Sequence, residues 1–142
     1  MIRDYKVTDL QEVLDIWLLA SIKAHNFIEP SFWESQLLNM RDVYIPSSQT
    51  HVYEEEGKVL GFCSLVDNTI AAIFVLPSLQ GKGIGKKLLN HAKEKRNELN
   101  LTVYKENRDS IQFYLSQNFL IVSEQLDSHT GKQEFLMKYL KD

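Results

Sequence analysis

Apolar residues recur at helical spacing early in the chain. Within "VTDLQEVLDIWLLASIKAH", Leu10, Val13, Leu14, Trp17 and Leu18 fall on one face. Thr8 followed by Gln11 has the spacing of a capping box, which predicts a helix start at that point. Ser31 and Glu34 repeat the device in "EPSFWESQLLNMRDVYI", a second helix expected to end before Pro46. The period then shortens from 3.6 to 2. "THVYEEE" and "KVLGFCSLV", separated by a turn at Gly57, predict an antiparallel hairpin. "TIAAIFVL" is apolar almost throughout, which predicts a central strand covered on both faces and stopped by Pro77. From Gly83 the helical period returns, with Ile84, Leu88, Leu89 and Ala92 on one face and lysines on the other. "NLTVY" reads as a strand, "NRDSIQFYLSQ" as a short helix, and "FLIVSEQL" with "KQEFLMKYL" as closing strands around "DSHTG". The order βααβββαβαββ describes one mixed α/β domain spanning 1–142, without repeats or linkers.

Composition narrows the classes open to such a domain. No run approaches the roughly 18 apolar residues of a membrane span, and "MIRDYKVTDL" has no signal-peptide core, so a cytoplasmic protein is expected. One cysteine, Cys63, cannot form an internal disulfide, and His25, His51, His91 and His129 show no metal-ligand spacing. No metal is expected. The net charge of −3 argues against nucleic-acid binding, but it is unevenly spread. Six basic residues against one acidic residue between Gln80 and Arg96 give that stretch +5, leaving −8 for the remainder.

The basic stretch opens with "PSLQGKGIGKK". A helix N-terminus carries four backbone N–H groups without internal partners and about half a unit of positive charge, which makes it an anion site. Gly81, Gly83 and Gly85 remove Cβ atoms there and permit backbone angles that fold the loop around a phosphate, while Lys82, Lys86 and Lys87 add charge. Two common phosphate loops fail on spacing. A P-loop needs glycine at Gln80 and Ser or Thr at Lys87, and a Rossmann fingerprint needs a third glycine where Lys86 or Leu88 stands. The pattern that remains is Q-x-x-G-x-G, met by Gln80, Gly83 and Gly85 between a strand and an amphipathic helix.

In that setting "VLPSLQGKGIGKKLL" resembles the acyl-coenzyme-A loop of the GNAT superfamily of N-acetyltransferases, and "YKENRDSIQFYLSQNF" resembles the C-terminal half of that fold. The resemblance runs from Ile2 to about Leu140. It implies a mixed, mostly antiparallel sheet of about seven strands flanked by four helices. It also implies that backbone groups of Ile73, Phe74 and Val75 bind the pantetheine arm and the acetyl carbonyl. The amides of Gly81, Lys82, Gly83, Ile84, Gly85 and Lys86 would hold the pyrophosphate, Asn107 would face the coenzyme, and Tyr114 would lie near its sulfur. The co-substrate implied is acetyl-CoA and the partner an amine acceptor, either a small molecule or a protein lysine or N-terminus. The chain is expected as monomer or homodimer.

Acetyl transfer to an amine needs a deprotonated nucleophile, a polarised thioester carbonyl and a proton for the departing thiolate. Tyr114 is the candidate acid, although a phenol at about 10 yields its proton reluctantly to a thiolate at about 8.5. Asn107 has an N-cap role open to it as well. Where related enzymes often carry Glu, this chain has Thr102, which leaves the base unassigned and keeps a coenzyme-binding sensor or interaction module without turnover as the alternative. His25 and Glu29 are the candidates for the acceptor side; Trp17, Phe32 and Trp33 are expected in the core, with walls of the acceptor pocket as the alternative. Asn118 stands where the family commonly has Gly and is expected to keep the left-handed turn. Cys63, in an apolar strand, is expected to be inert.

Overall fold

The computed structural model describes residues 1–142. The seven strands are β1 (Ile2–Asp4), β2 (Gln49–Glu55), β3 (Lys58–Val66), β4 (Thr69–Val75), β5 (Glu98–Tyr104), β6 (Leu120–Leu126) and β7 (Gln133–Leu140). They form one sheet in the order β1-β2-β3-β4-β5-β7-β6, antiparallel except between β4 and β5. The helices are α1 (Leu10–Ala24), α2 (Pro30–Ser35), α3 (Leu37–Asn39), α4 (Ile84–Lys95) and α5 (Arg108–Ser116). The single long helix expected after Glu29 is broken: Gln36 separates α2 from α3, which runs on into a π-helical turn over Met40–Tyr44. Taken as one segment with these breaks, it makes four helical units around the sheet, in the predicted order.

Period-2 alternation places the strands between two apolar layers. Cys63 of β3 faces Leu88 and Leu89 of α4 and Ile111 of α5, whereas its neighbour Phe62 faces Val13, Ile16 and Trp17 of α1. Gly61 is the closest approach. A Cβ there would lie 3.0 Å from the Phe74 carbonyl oxygen and 3.1 Å from Leu88 Cδ1, so α4 rests directly on the bare backbone of β3. The hairpin turn at Gly57 is formed by two residues of positive φ, Glu56 and Gly57, and Asn118 takes its left-handed conformation at φ 71°.

Neither predicted capping box forms. A 3-10 turn over Val7–Asp9 precedes α1, and the Asp9 carboxylate accepts the Lys6 N–H at 2.8 Å. Arg3 holds that carboxylate at 2.8 and 2.9 Å and also donates to Glu54 at 3.0 Å, tying β1, β2 and the start of α1 together. Gln11 instead donates to Asp15 within the helix, at 2.9 Å. At α2, Pro30 occupies the first helical position, where its missing N–H is harmless, so the start is set one residue ahead of Ser31.

The strand expected to be covered on both faces is central but only partly covered. Ser64 pairs with Ala72 and Leu65 with Ile70, which leaves Ala71 as the extra residue of a β-bulge in β4. The ladder to β5 consists of Thr69 and Asn100, and beyond it the two strands part. Ala71 is exposed and Ile73 and Phe74 are half-buried along the resulting gap.

Gly61→Ala pushes a methyl against Leu88 and the Phe74 carbonyl. It is expected to lower unfolding stability by about 1–3 kcal/mol, the usual range for overpacking. Urea denaturation of the two proteins measures this, and an unchanged midpoint contradicts the packing described.

Candidate active site

The gap between β4 and β5 is continuous with a cleft of about 1080 Å³ that reaches both faces of the sheet. On one face it is walled by Ile84, Phe113 and Tyr114 beside the α4 core, and on the other by Trp17, His25, Trp33 and Tyr104 beside the α1 core. Of the residues singled out in the sequence, Ile73, Phe74, Val75, Gly81, Gly83, Ile84, Gly85, Lys86, Asn107, Tyr114 and His25 all line this cleft. Lys82 and Glu29 do not; both are exposed beside it, and Glu29 precedes α2 as its N-cap.

The sheet's own geometry prepares the β4 edge. Leu76 N–H donates to the Leu60 carbonyl at 2.9 Å. Antiparallel alternation then turns the backbone groups of Phe74 and Ala72 toward β3 and those of Ile73 and Val75 toward the gap. Gln80 Nε2 meets the Val75 carbonyl there at 3.3 Å. At the glycine loop, Gly81 and Gly83 have φ of 81° and 86°, and a Cβ on either would meet nothing within 4 Å. Both are required for the turn rather than for space. Gly85 lies inside α4, where a Cβ would make ordinary contact with Val75 and Phe113.

None of the amides from Gly81 to Lys86 has a backbone acceptor; the first helical bond runs from Lys87 N–H to the Gly83 carbonyl at 3.1 Å. No acidic residue occupies the first turn of α4. Lys23 of α1 approaches the same loop, its Nζ 3.5 Å from Gln80 Oε1. Unpaired amides, dipole and lysines together suit a polyanion.

Asn107 caps α5, its Oδ1 accepting the Ser110 N–H at 3.3 Å. Tyr114 projects from α5 against Phe113 and Phe119. Burial raises its phenol above the ordinary value, and the neighbouring Cys63 thiol acts in the same direction. Tyr114 is therefore a protonated donor at neutral pH. Cys63 itself is buried and its thiol pushed up to about 12 by desolvation, so it is no nucleophile at neutral pH.

The sequence matches the acetyltransferase (GNAT) domain family over residues 46–120. The chain belongs to the GNAT family of acetyltransferases. Among similar proteins, the peptidyl-lysine N-acetyltransferase YiaC of Escherichia coli K12 is 34% identical over 140 residues, covering 98% of this chain and 96% of that one. The solution structure of apo YjaB from Escherichia coli has a TM-score of 0.87 at 22% identity, covering 100% and 98% of the two chains. The PaiA N-acetyltransferase of Thermoplasma acidophilum, solved with coenzyme A, has a TM-score of 0.80 at 19% identity, covering 99% and 98%. For this GNAT member, the likeness to these two solved structures, at 22% and 19% identity, is one of overall fold.

Several cleft residues were not singled out in the sequence: Tyr104 at the end of β5, Asp127 and Glu134 from the β6–β7 hairpin, and Lys23 and Phe113. Asp127 carried a signal only as part of the turn "DSHTG". Thr102 lines the cleft as an exposed side chain, with no carboxylate in its place.

His25 stacks on Trp33 with ring centroids 4.9 Å apart, and desolvation pushes its imidazole down to about 4. A folded-state value below the unfolded 6.5 means that the unfolded chain takes up the proton first as pH falls. The stability that His25 contributes is full above about 6.5 and is lost as pH falls toward about 4. By linkage it amounts to about 3 kcal/mol. Urea unfolding at pH 7.5 and 4.5 is expected to show that loss in the native protein and a smaller one in His25→Phe; equal losses contradict it.

Proposed function

We propose that this protein transfers the acetyl group of acetyl-CoA to a primary amine, with a peptide lysine as the favoured acceptor, by direct attack while both substrates are bound. The observation that carries this reading is the cleft crossing the sheet at the β4–β5 splay. It gives a coenzyme and an acceptor separate entrances that converge on the unpaired backbone of β4.

On the α4 side, the amides of Gly81 to Lys86 bind the pyrophosphate, with Lys86 and Lys23 adding positive charge. The Ile73 backbone groups and the Val75 N–H, which neither the sheet nor Gln80 occupies, hold the pantetheine arm as a further strand would and orient the acyl carbonyl. Phe74, whose backbone bonds to β3, contributes its side chain to the α1 side. Asn107 fixes the start of α5 and so the placement of Tyr114. Acetyl-CoA supplies the activated acyl group. Tyr114 donates its hydroxyl proton to the departing sulfur, while the attacking nitrogen gives up its surplus protons to solvent, from which Tyr114 is reprotonated. Its elevated pKa makes it a reluctant acid but a dependable hydrogen-bond donor, and it regains a proton readily. The buried Cys63 disfavours a covalent acyl-enzyme. The lysine preference rests on the likeness to YiaC, which is named for peptidyl-lysine acetylation.

Calorimetric titration with acetyl-CoA tests the coenzyme half of the proposal. Gly83→Val, which forces a branched residue to φ near 86°, is expected to weaken binding tenfold or more while the protein remains folded. Unaltered affinity rejects the loop assignment. Tyr114→Phe is expected to lower kcat with a lysine peptide at least a hundredfold, in line with typical general-acid contributions, and to leave acetyl-CoA affinity unchanged. A protein that binds the coenzyme but acetylates no amine in a broad panel is the sensor that Thr102 suggests.

A further inference from the structure

The acceptor side of the cleft holds groups with no part in handling the coenzyme. Tyr104, the last residue of β5, donates its hydroxyl to Asp127 Oδ2. Thr130 Oγ1 donates to the same carboxylate at 2.9 Å and the His129 N–H at 3.1 Å. Burial pushes the Asp127 carboxyl up, but the bonds from Tyr104, His129 and Thr130 outweigh this and hold it below its ordinary value. Asp127 is thus an anion, and the Tyr104 proton is committed to it. What Tyr104 offers the cleft is oxygen lone pairs. Glu134 lies across from Tyr104 in the β5–β7 register and brings a second carboxylate to the cleft wall. At these three side chains a ligand carbonyl or anion would meet acceptors only; a cation with N–H donors meets complementary groups.

The wall beside them is aromatic. His25 and Phe27 stand edge-on to Tyr104, with ring centroids 5.1 and 5.6 Å away. Trp33 stacks on His25. Such a wall suits an aliphatic stem and adds cation–π attraction for its charged tip. A separate observation points to a ligand: His25 Nδ1 and Trp33 Nε1 have no hydrogen-bond partner, although each residue is only 8% exposed and lines the cleft, and the indole N–H calls for an acceptor such as a backbone carbonyl of the chain that carries the ammonium. Buried polar atoms without partners are uncommon and call for an explanation beyond packing.

From this juxtaposition we infer that Tyr104 and Asp127 are a positioning pair for the acceptor's ammonium group, with the aromatic wall holding its stem. The chemistry selected is an alkylammonium on a flexible chain, as in a lysine side chain. The inference rests on the amine-acceptor reading above and assigns that acceptor its docking groups.

Calorimetry on the protein saturated with coenzyme A separates docking from chemistry. The probes are the blocked tripeptide Ala-Lys-Ala and its counterpart with norleucine in place of lysine. The native protein is expected to bind the lysine peptide at least about tenfold more tightly, the order for a hydrogen bond to a charged group. Tyr104→Phe and Asp127→Asn are expected to lose most of that preference without altering coenzyme A affinity, and Asp127→Glu to recover part of it. Asp127→Asn keeps an oxygen for the hairpin donors, and its melting temperature checks that the hairpin survives. A purely structural Asp127 would change melting without changing the preference. Equal binding of the two peptides by the native protein, including no binding of either, overturns the inference, as does a preference that survives in both variants. A preference present in the native protein and lost in the variants supports the positioning pair even if no amine is acetylated, in which case the transfer reading fails alone.

Discussion

The hydrogen bonds that β4 does not make organise this molecule. A central strand in a mixed sheet would ordinarily exhaust its N–H and C=O groups on two neighbours, because unpaired polar backbone is costly to bury. Here β5 leaves β4 after a single paired position, and the bulge at Ala71 marks the departure. The groups of Ile73 and Val75 therefore face a cleft rather than a strand. That cleft joins two faces of the sheet that a continuous ladder would have sealed from one another.

Everything near the gap is braced by packing that the gap does not disturb. On one face α4 presses its apolar side onto Gly61, with Leu88 and Leu89 fully buried, which fixes where the glycine loop ends and its free amides begin. On the other face α1 is anchored by Arg3, Asp9 and Glu54 and by Glu12, whose carboxylate accepts the Val59 N–H at 2.9 Å. Rigid supports on both sides let a few unpaired groups stay exposed without the strands closing on them.

The cleft is also polarised. Its loop end gathers helix-terminal amides with Lys86 and Lys23, and its hairpin end gathers Asp127 and Glu134 around Tyr104. Between them lie groups that burial keeps neutral: Tyr114 with its proton and His25 without an extra one. Fixed charges at the two ends and neutral groups in the middle match a polyanion meeting a cation, and in a partly enclosed space such charges act more strongly than on an open surface.

Period and spacing carried most of the architecture. The 3.6 and 2.0 repeats identified the strands and helical units in their order, since each must turn an apolar face toward a core, and Gln80, Gly83 and Gly85 marked the glycine turn that leads into α4 because local backbone geometry alone makes it. Asn107 and Asn118 likewise behave as their local chemistry dictates. The failed capping boxes at Thr8 and Ser31 show where neighbours prevail: the Asp9 carboxylate, held by Arg3 and the Lys6 N–H, and a proline at position 30 set those starts instead. The Ala71 bulge, the parting of β4 from β5, the contact of Gly61 with α4 and the meeting of Tyr104 with Asp127 across 23 positions have no local signature. They arise from strand register and side-chain contact between distant segments, and a linear pattern holds no record of distance in space.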